Sequence, residues 1–178
     1  HNSTILLSGI ERVEGDLLDL ETLKNACCEV DAVVHLAAVT RTQRPNKYFQ
    51  INCEGTRNLL MACEYCGVSR FVFLSSATAT SRYSGGAYAE SKKLAEEIVL
   101  QFSLNSSIIR LSEIYGPETK EGVSSLIDMM KKYPLIPVIG DGDYVVCPVF
   151  IDDVIDCLLD LIICQSKKKR NVCSICGP

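Results

Sequence analysis

No stretch of this 178-residue chain approaches the roughly 20 apolar residues that a membrane-spanning helix requires. The most apolar segment, 154–164, is too short and contains two aspartates. No signal peptide is visible, and because the sequence begins with His1 rather than methionine, we expect its native start to lie upstream. The net charge of −4 argues against a nucleic-acid surface, and the one basic run, 167–170, is expected to be a solvated loop. We therefore predict neither a membrane nor a nucleic-acid partner.

Cysteine is abundant, with ten residues, but its pattern does not favour a metal site or a disulfide framework. The pair Cys63/Cys66 lies in a helical pattern and the pair Cys173/Cys176 follows a strand-like run, whereas zinc sites place such pairs on tight turns. The other cysteines stand among apolar residues, where a thiol behaves as a small apolar group. We therefore expect no metal, and free buried thiols indicate a reducing compartment, the cytoplasm.

The length and the hydrophobic content of 47% fit one globular domain with a buried core. Short β-rich runs alternate with helical patterns along the chain, without internal repeats. The run 31–36 is apolar without polar alternation, as expected for a strand that is covered on both faces. Strict alternation of strands and helices predicts an α/β fold with a parallel sheet between helices.

The element boundaries follow from periodicity and from stop signals. Gly67 is expected to end the second helix, and Asp152 or Asp153 to cap the last one. A turn is expected at 140–143 after an extended run at 136–139. Strands are predicted at 12–14, 31–36, 70–75, 107–111, 145–150 and 171–175, and helices at 18–28, 47–65, 88–102, 124–132 and from Asp152 or Asp153 to 164.

Tyr88 and Lys92 carry the strongest chemical signal, shortly after an apolar run that ends in Ser75 and Ser76. A four-residue spacing places both side chains on the same face of a helix. The Lys92 cation is expected to lower the pKa of Tyr88 from about 10 towards neutrality, so that the phenol can exchange a proton with a substrate oxygen. With a serine holding that oxygen, the set suits hydride transfer at a carbon that bears oxygen. Taken alone, the spacing is also typical of a surface pair without chemistry.

Several short motifs occur in a fixed order along the chain. They are Glu14-Gly15-Asp16-Leu17, the strand 31–35 followed by Leu36-Ala37-Ala38, Asn52-Cys53-Glu54-Gly55-Thr56, Ser75-Ser76-Ala77, Tyr88-x-x-x-Lys92, Arg110 to Pro117, Val149 to Val154, and Cys176-Gly177-Pro178. Together they resemble the extended short-chain dehydrogenase/reductase family, in its sugar-nucleotide epimerase/dehydratase branch. The resemblance covers almost the whole chain.

The resemblance implies a Rossmann-like doubly wound parallel sheet, NAD or NADP as the cofactor, and catalysis by Ser76, Tyr88, Lys92 and Asn52. Tyr88 would be the acid/base, and Lys92 would lower its pKa and hold the nicotinamide ribose. Ser76 would hold the reacting oxygen, and Asn52 would fix the backbone and a water near Lys92. His35 is expected to be a packed core residue. Cofactor contacts are expected from Asp16, Leu17, Leu36, Ala37, Ala38, Asn52, Ser75, Tyr88, Lys92, Leu111 and Ile114.

The chain departs from the family in its glycines. Neither Gly-x-x-Gly-x-x-Gly nor Gly-x-Gly-x-x-Gly occurs, although such a turn normally binds the pyrophosphate. We therefore expect the first βαβ unit to lie upstream of His1, and the chain alone to bind a dinucleotide poorly. Residues 1–115 are expected to form a partial dinucleotide-binding region with the catalytic motif. Residues 116–178 would add the last sheet elements and the start of a small C-terminal substrate lobe, within one structural domain.

Three functions remain open on the sequence. The first is an epimerase/dehydratase-type oxidoreductase that acts on a nucleotide sugar. The second is a reductase or hydroxysteroid-type dehydrogenase, which two features favour. Glu113 stands where many sugar-nucleotide enzymes carry an asparagine that contacts phosphates, and the loop between Ser76 and Tyr88 is short. The third is a non-catalytic dinucleotide sensor or scaffold. By analogy with the family, we expect a homodimer.

Overall fold

The computed structural model describes residues 9–80, 85–117, 119, 122–134, 146–163 and 170–177. Strands and helices alternate through most of this length, as the sequence predicts. In chain order the elements are α1 (Leu20–Cys27), β1 (Ala32–His35), α2 (Pro45–Phe49), a π-helical segment (Gln50–Gly55), α3 (Thr56–Cys66), β2 (Arg70–Ser76), a 3-10 turn (Ala77–Thr80), α4 (Gly86–Gln101), β3 (Ser106–Leu111), β4 (Ile114–Tyr115), α5 (Gly122–Lys132), β5 (Val149–Phe150), α6 (Ile151–Ile163) and β6 (Arg170–Ile175).

Four strands form a parallel sheet in the order β1-β2-β3-β6. The register pairs Val33 with Phe71 and Phe71 with Ser106. A separate parallel pair joins β4 to β5. The predicted α/β fold with a parallel sheet is therefore confirmed. Because the strands are parallel, their carboxyl ends meet at one edge of the sheet, which brings the end of β2 beside the end of β3.

The sheet is covered on both faces, which explains why its strands are apolar without alternation. One core cluster packs α1, α3 and α4 against the sheet around Leu60, Phe71 and Val99. The other packs α6 against the opposite face around Val72 and Val154. Successive residues of β2 therefore enter different clusters, as the two-residue period of a strand requires.

Helix ends follow the local signals, with two differences. Gly67 ends α3 in the left-handed conformation, with φ of +71°, as predicted. Asp19 caps α1 through the N–H groups of Glu21 and Thr22, so this helix begins two residues later than the periodicity suggested. The helix predicted at 47–65 begins at Pro45 and contains the π-helical segment, which the apolar spacing did not indicate.

Several predictions about elements need correction or fall outside the described residues. Residues 12–14 are not a strand: none of the described strands pairs with them, and the described sheet ends at β1. The last helix starts at Ile151, directly after β5, so the two aspartates lie in its first turn instead of capping it. Strand β5 covers two residues of the run predicted at 145–150. The predictions for 136–143 and for the basic run at 167–169 concern residues outside the described ones.

Candidate active site

A cleft of about 470 Å³ opens at the carboxyl ends of the sheet strands, the edge at which ligands bind in open α/β sheets. The first turns of α4 form one wall, and residues at the end of β3, in β4 and at the start of α5 form another. Its lining residues are Leu36, Ala38, Thr40, Arg41, Leu74, Ser75, Ser76, Tyr88, Lys92, Leu111, Ser112, Glu113, Ile114, Thr119 and Gly122.

Tyr88 and Ser76 both line this cleft, where the serine hydroxyl interacts with the phenol. Ser76 ends β2, and its Oγ lies 2.9 Å from Oγ1 of Thr78 and accepts a 3.3 Å hydrogen bond from the Thr78 N–H. The Tyr88 ring also contacts Tyr48 edge-on, with centroids 5.9 Å apart. The hydroxyls of Ser76 and Tyr88 are therefore held at one point of the cleft wall.

The expected effect of Lys92 on Tyr88 is wrong for this structure. Burial raises the pKa of Tyr88 above its usual value, and the interaction with Ser76 opposes that rise. The phenol is therefore protonated at neutral pH. The lysine ammonium is engaged elsewhere, because Nζ of Lys92 donates a 2.6 Å hydrogen bond to the carbonyl of Leu74.

Lys92 itself is buried, with 3% of its surface exposed. Its ammonium lies 4.3 Å from the centre of the Phe73 ring, a favourable cation–π contact. Burial lowers the pKa of Lys92 to about 8, while Glu96, with a smaller contribution from Cys53, opposes that fall. Lys92 consequently remains mostly charged at neutral pH, close to the point at which it loses its proton.

Asn52 lies in the π-helical segment and is almost fully buried. Its Oδ1 accepts a 2.8 Å hydrogen bond from the Val39 N–H, and its Nδ2 donates to the Val39 carbonyl at 3.1 Å. The same amide donates to Oγ of Ser91, one residue before Lys92, at 3.0 Å. Asn52 thus ties the loop after β1, which lines the cleft, to the helix that carries Tyr88 and Lys92.

His35 is a core residue, as the sequence analysis expected. Its Nε2 lies 3.0 Å from Oγ1 of Thr56, and its ring packs beside Phe71 and Phe73. Burial, aided by the Lys92 cation, lowers the pKa of His35 to about 4, so the imidazole is neutral at physiological pH.

The sequence-predicted cofactor residues fall into two groups. Leu36, Ala38, Ser75, Leu111 and Ile114 line the cleft together with Tyr88 and Lys92. The remaining four, Asp16, Leu17, Ala37 and Asn52, are not part of its lining. The carboxylate of Asp16, in an exposed turn, accepts a 2.9 Å hydrogen bond from the Leu18 N–H.

Polar atoms in the cleft fit a ligand with several hydrogen-bonding groups. The hydroxyls of Ser75 and Ser112 are buried and have no hydrogen-bond partner among the described residues. Both serines line the cleft at the ends of neighbouring strands. Buried polar groups without partners are uncommon in folded proteins, so these two oxygens suit contacts with a polar cofactor such as a dinucleotide. Among the described residues, no cluster of three or more His, Cys, Asp or Glu side chains is arranged to hold a metal ion.

Two contacts were not predicted from the sequence, because each joins residues from different elements. Glu96 and Arg110 form an ion pair with a shortest N–O distance of 2.7 Å, and the spacing Tyr88, Lys92, Glu96 is the signal that could have found it. The Glu113 carboxylate accepts a 2.9 Å hydrogen bond from the Val123 N–H in the first turn of α5. The negative charge of Glu113 therefore faces the cleft from beside a helix N-terminus.

The parallel sheet and the cleft at its strand ends define a Rossmann-like α/β protein. The sequence model of the NAD dependent epimerase/dehydratase family matches residues 2–175. The chain therefore belongs to the NAD dependent epimerase/dehydratase family, which confirms the resemblance found in its motifs. Within the described residues, no helix is long and apolar enough to cross a membrane.

Similar proteins include both reductases and sugar-nucleotide enzymes. A 2-alkyl-3-oxoalkanoate reductase of Stenotrophomonas maltophilia is 29% identical over 174 residues, which cover 86% of this chain and 52% of that protein. The decarboxylating sterol-4-alpha-carboxylate 3-dehydrogenase of Saccharomyces cerevisiae is 30% identical over 164 residues, covering 79% and 46%. The structure of MoeE5 in complex with UDP-glucose and NAD is 25% identical, with a TM-score of 0.78, covering 92% and 62%. The chain thus spans about half the length of these curated relatives.

Proposed function

We propose that this chain is part of an NAD(P)-dependent oxidoreductase of the epimerase/dehydratase type, which acts at a carbon bearing a hydroxyl or keto oxygen. The observation that carries the proposal is the meeting of Ser76, Tyr88 and Lys92 in one cleft at the carboxyl ends of the sheet strands. Such a cleft provides a proton donor, a hydrogen-bonding hydroxyl and a cation around one site, which is the set that oxygen-centred proton transfer requires.

Each of the three side chains has a different role. Tyr88 donates its phenolic proton to the substrate oxygen when a carbonyl is reduced, and it takes the proton back in the reverse direction. Ser76, which interacts with Tyr88, holds that oxygen in place. Lys92 supplies a buried positive charge four residues along α4, held by the Leu74 carbonyl in the wall of the same cleft. Asn52 positions the helix and the loop that flank these groups.

A bound nicotinamide dinucleotide would supply the hydride chemistry. The residues that would hold it in the cleft are Leu36, Ala38, Ser75, Leu111 and Ile114, together with Tyr88 and Lys92. Asp16, Leu17, Ala37 and Asn52 complete the proposed set. The unpartnered hydroxyl of Ser75 supports this assignment, because a polar ligand would satisfy it. NAD is the cofactor named in the family description, whereas NADP stays an alternative.

A nucleotide sugar is the first candidate substrate, supported by the similarity to MoeE5, whose structure contains UDP-glucose. A keto acid or sterol is the second candidate, and two observations favour it. The carboxylate of Glu113 lines the cleft, where it would repel a diphosphate. The two curated relatives described above are named for a 3-oxoalkanoate and a sterol carboxylate.

The proposal also covers the domain organisation, the oligomeric state and the cellular location of the protein. Residues 1–115 form the partial dinucleotide-binding region, and 116–178 contribute to the substrate lobe. A homodimer would be supported by the exposed apolar side chains of Met61, Tyr65 and Leu94 on neighbouring α3 and α4. A cytoplasmic location is supported by the free thiols of the nine described cysteines.

The test uses the full-length protein, with whatever precedes His1. Calorimetric titration of NAD and of NADP is followed by turnover assays with UDP-glucose and with a 3-hydroxysteroid. Tyr88→Phe should lower turnover by at least about 100-fold while the cofactor still binds, because the variant keeps the aromatic ring and loses only the hydroxyl. Tyr65→Phe, at a residue that is 73% exposed, is the matched control and should behave as wild type. Normal turnover in Tyr88→Phe, or no binding of either dinucleotide, would contradict the proposal.

A further inference from the structure

Helices α1 and α3 run side by side. The contacts between the two helices near their starts differ from those at their C-terminal ends. Near their starts, Leu17 packs against Gly55, and the side-chain amide of Asn58 donates a 3.0 Å hydrogen bond to the Leu17 carbonyl. At their C-terminal ends, two pairs of cysteines face each other. The Sγ atoms of Cys27 and Cys63 are 3.8 Å apart, and those of Cys28 and Cys66 are 3.2 Å apart.

The two pairs differ in their access to solvent. Cys27 and Cys63 belong to the core and are 2% and 0% exposed. Cys28 is exposed and Cys66 is half-buried. A dissolved oxidant can therefore reach only the second pair, and its sulfur atoms are also the closer ones. Burial raises the pKa of the Cys63 thiol far above its usual value, which suppresses the reactive thiolate in the first pair.

We infer that Cys28 and Cys66 form a reversible disulfide site, which cross-links the end of α1 to the end of α3. The sulfur atoms need to move together by only about 1.2 Å to reach the S–S bond length of about 2.05 Å. Cys28 directly follows the last residue of α1 and has an extended backbone, so a small shift there does not break the helix. Cys66 is the last residue of α3, before the left-handed Gly67.

A small-molecule disulfide, such as oxidised glutathione, is the oxidant in this reaction. The thiolate of Cys28 attacks one sulfur of that disulfide, which forms a mixed disulfide and releases one glutathione thiolate. Cys66 then loses its proton and attacks the Cys28 sulfur, which forms the protein disulfide and releases the second glutathione. Two protein thiols are thereby oxidised, and one glutathione disulfide is reduced to two thiols.

The order of the two steps follows from the surroundings of each thiol. Burial, with a smaller contribution from neighbouring Cys28, raises the pKa of Cys66 to about 11. Its Sγ also donates a 3.3 Å hydrogen bond to the Lys24 carbonyl. Cys66 is therefore the protonated partner. It reacts second, because a mixed disulfide on Cys28 lies within contact distance of the Cys66 sulfur. Cys28, being exposed, meets the oxidant first.

The experiment incubates the full-length protein with excess oxidised glutathione, blocks free thiols with iodoacetamide, and digests with a protease that cleaves after glutamate. Cleavage after Glu21, Glu29, Glu54, Glu64 and Glu90 places Cys63 and Cys66 in different peptides, 55–64 and 65–90. Mass spectrometry should find peptide 22–29 linked to 65–90, with fragmentation that assigns the link to Cys28. A link from 22–29 to 55–64, or a glutathione adduct on Cys28 without a link, would overturn the inference.

Variants complete the test. Cys28→Ser and Cys66→Ser should each abolish the cross-link, whereas the exposed control Cys176→Ser should retain it. Oxidation should also raise the thermal midpoint of the wild type, since the link closes a loop across 38 positions in the unfolded chain, and dithiothreitol should reverse this rise. A cross-link that persists in Cys66→Ser would also refute the site. None of these measurements depends on cofactor binding or turnover.

Discussion

Glu96 and Arg110 form a two-point ion pair that joins α4 to β3, one helical turn beyond Lys92. The guanidinium Nε lies 3.0 Å from Oε1 of the carboxylate, and Nη2 lies 2.7 Å from Oε2. The Glu96 side chain is only 6% exposed, whereas that of Arg110 is 28% exposed. Tyr88, Lys92 and Glu96 thus follow one another at four-residue intervals on α4, and the pair fixes the far end of that column against the sheet.

The first prediction concerns a substitution that removes the negative charge of Glu96. Glu96→Gln should lower the free energy of unfolding by about 2 kcal/mol, because the half-buried guanidinium of Arg110 loses its charged partner. It should also lower the pKa of Lys92 below about 8, since Glu96 opposes the effect of burial there. Urea denaturation measures the stability, and NMR titration of the lysine side chain measures the pKa. Glu97→Gln, at the exposed next position, should change neither quantity; equal effects in both variants would refute the role of the pair.

The second prediction concerns the bridge made by Asn52. Asn52→Ala should destabilise the protein by about 2–3 kcal/mol, because it removes hydrogen bonds to both backbone groups of Val39 and to Ser91. Asn58→Ala removes one hydrogen bond, to the Leu17 carbonyl, and should cost about 1 kcal/mol. Urea denaturation of both variants checks the difference. A smaller loss in Asn52→Ala than in Asn58→Ala would show that the bridge contributes little.

The third prediction is a pH dependence that arises from His35. Its pKa is about 4 in the folded chain, against an ordinary value near 6.5 when unfolded. Between these values the unfolded chain binds a proton and the folded chain does not, so stability falls as the pH decreases from 6.5 towards 4, by about 3 kcal/mol. His35→Gln should flatten this part of the curve of unfolding free energy against pH. An unchanged slope in the variant would assign the acid sensitivity to other groups.

The fourth prediction tests the contact between Glu113 and the start of α5. Gly122 has φ of +56°, and a Cβ there would overlap the Glu113 carboxylate. Gly122→Ala should therefore cost more than Gly67→Ala, which has φ of +71° with open space around it and should cost about 1 kcal/mol. In a Glu113→Ala background, the excess cost of Gly122→Ala should disappear. Thermal or urea denaturation of the four variants measures this coupling, and a value of zero would mean that the two residues do not touch.

Most of the fold was predictable because its signals are local. Apolar runs without alternation predicted buried parallel strands, and Gly67 predicted the end of a helix, since each depends on neighbouring residues alone. The strand predicted at 12–14 failed because a strand needs a hydrogen-bonded neighbour, which the local sequence does not reveal. The π-helical segment around Asn52 carried no signal in the apolar spacing.

The sequence predicted that Ser76, Tyr88 and Lys92 lie near one another, but it did not predict the electrostatics of the cleft that they line. Helical spacing placed Tyr88 and Lys92 on one face, yet the direction of the Tyr88 pKa shift was predicted wrongly. Proximity in sequence suggested that the lysine charge would dominate. Burial in the cleft dominates instead, and the ammonium is held by the Leu74 carbonyl. Such a balance depends on solvent exclusion by elements that are distant in sequence.

The sequence by itself determined the alternation of strands and helices and the family, because these follow from periodicity and from short motifs; the catalytic roles of Ser76, Tyr88, Lys92 and Asn52 stay a prediction. Only the tertiary structure decided which of these residues share a cleft and which way their pKa values move. It alone also revealed the Glu96–Arg110 and Cys28–Cys66 contacts. Each of these depends on distances between segments that are far apart along the chain, and packing of the helices against the sheet sets those distances.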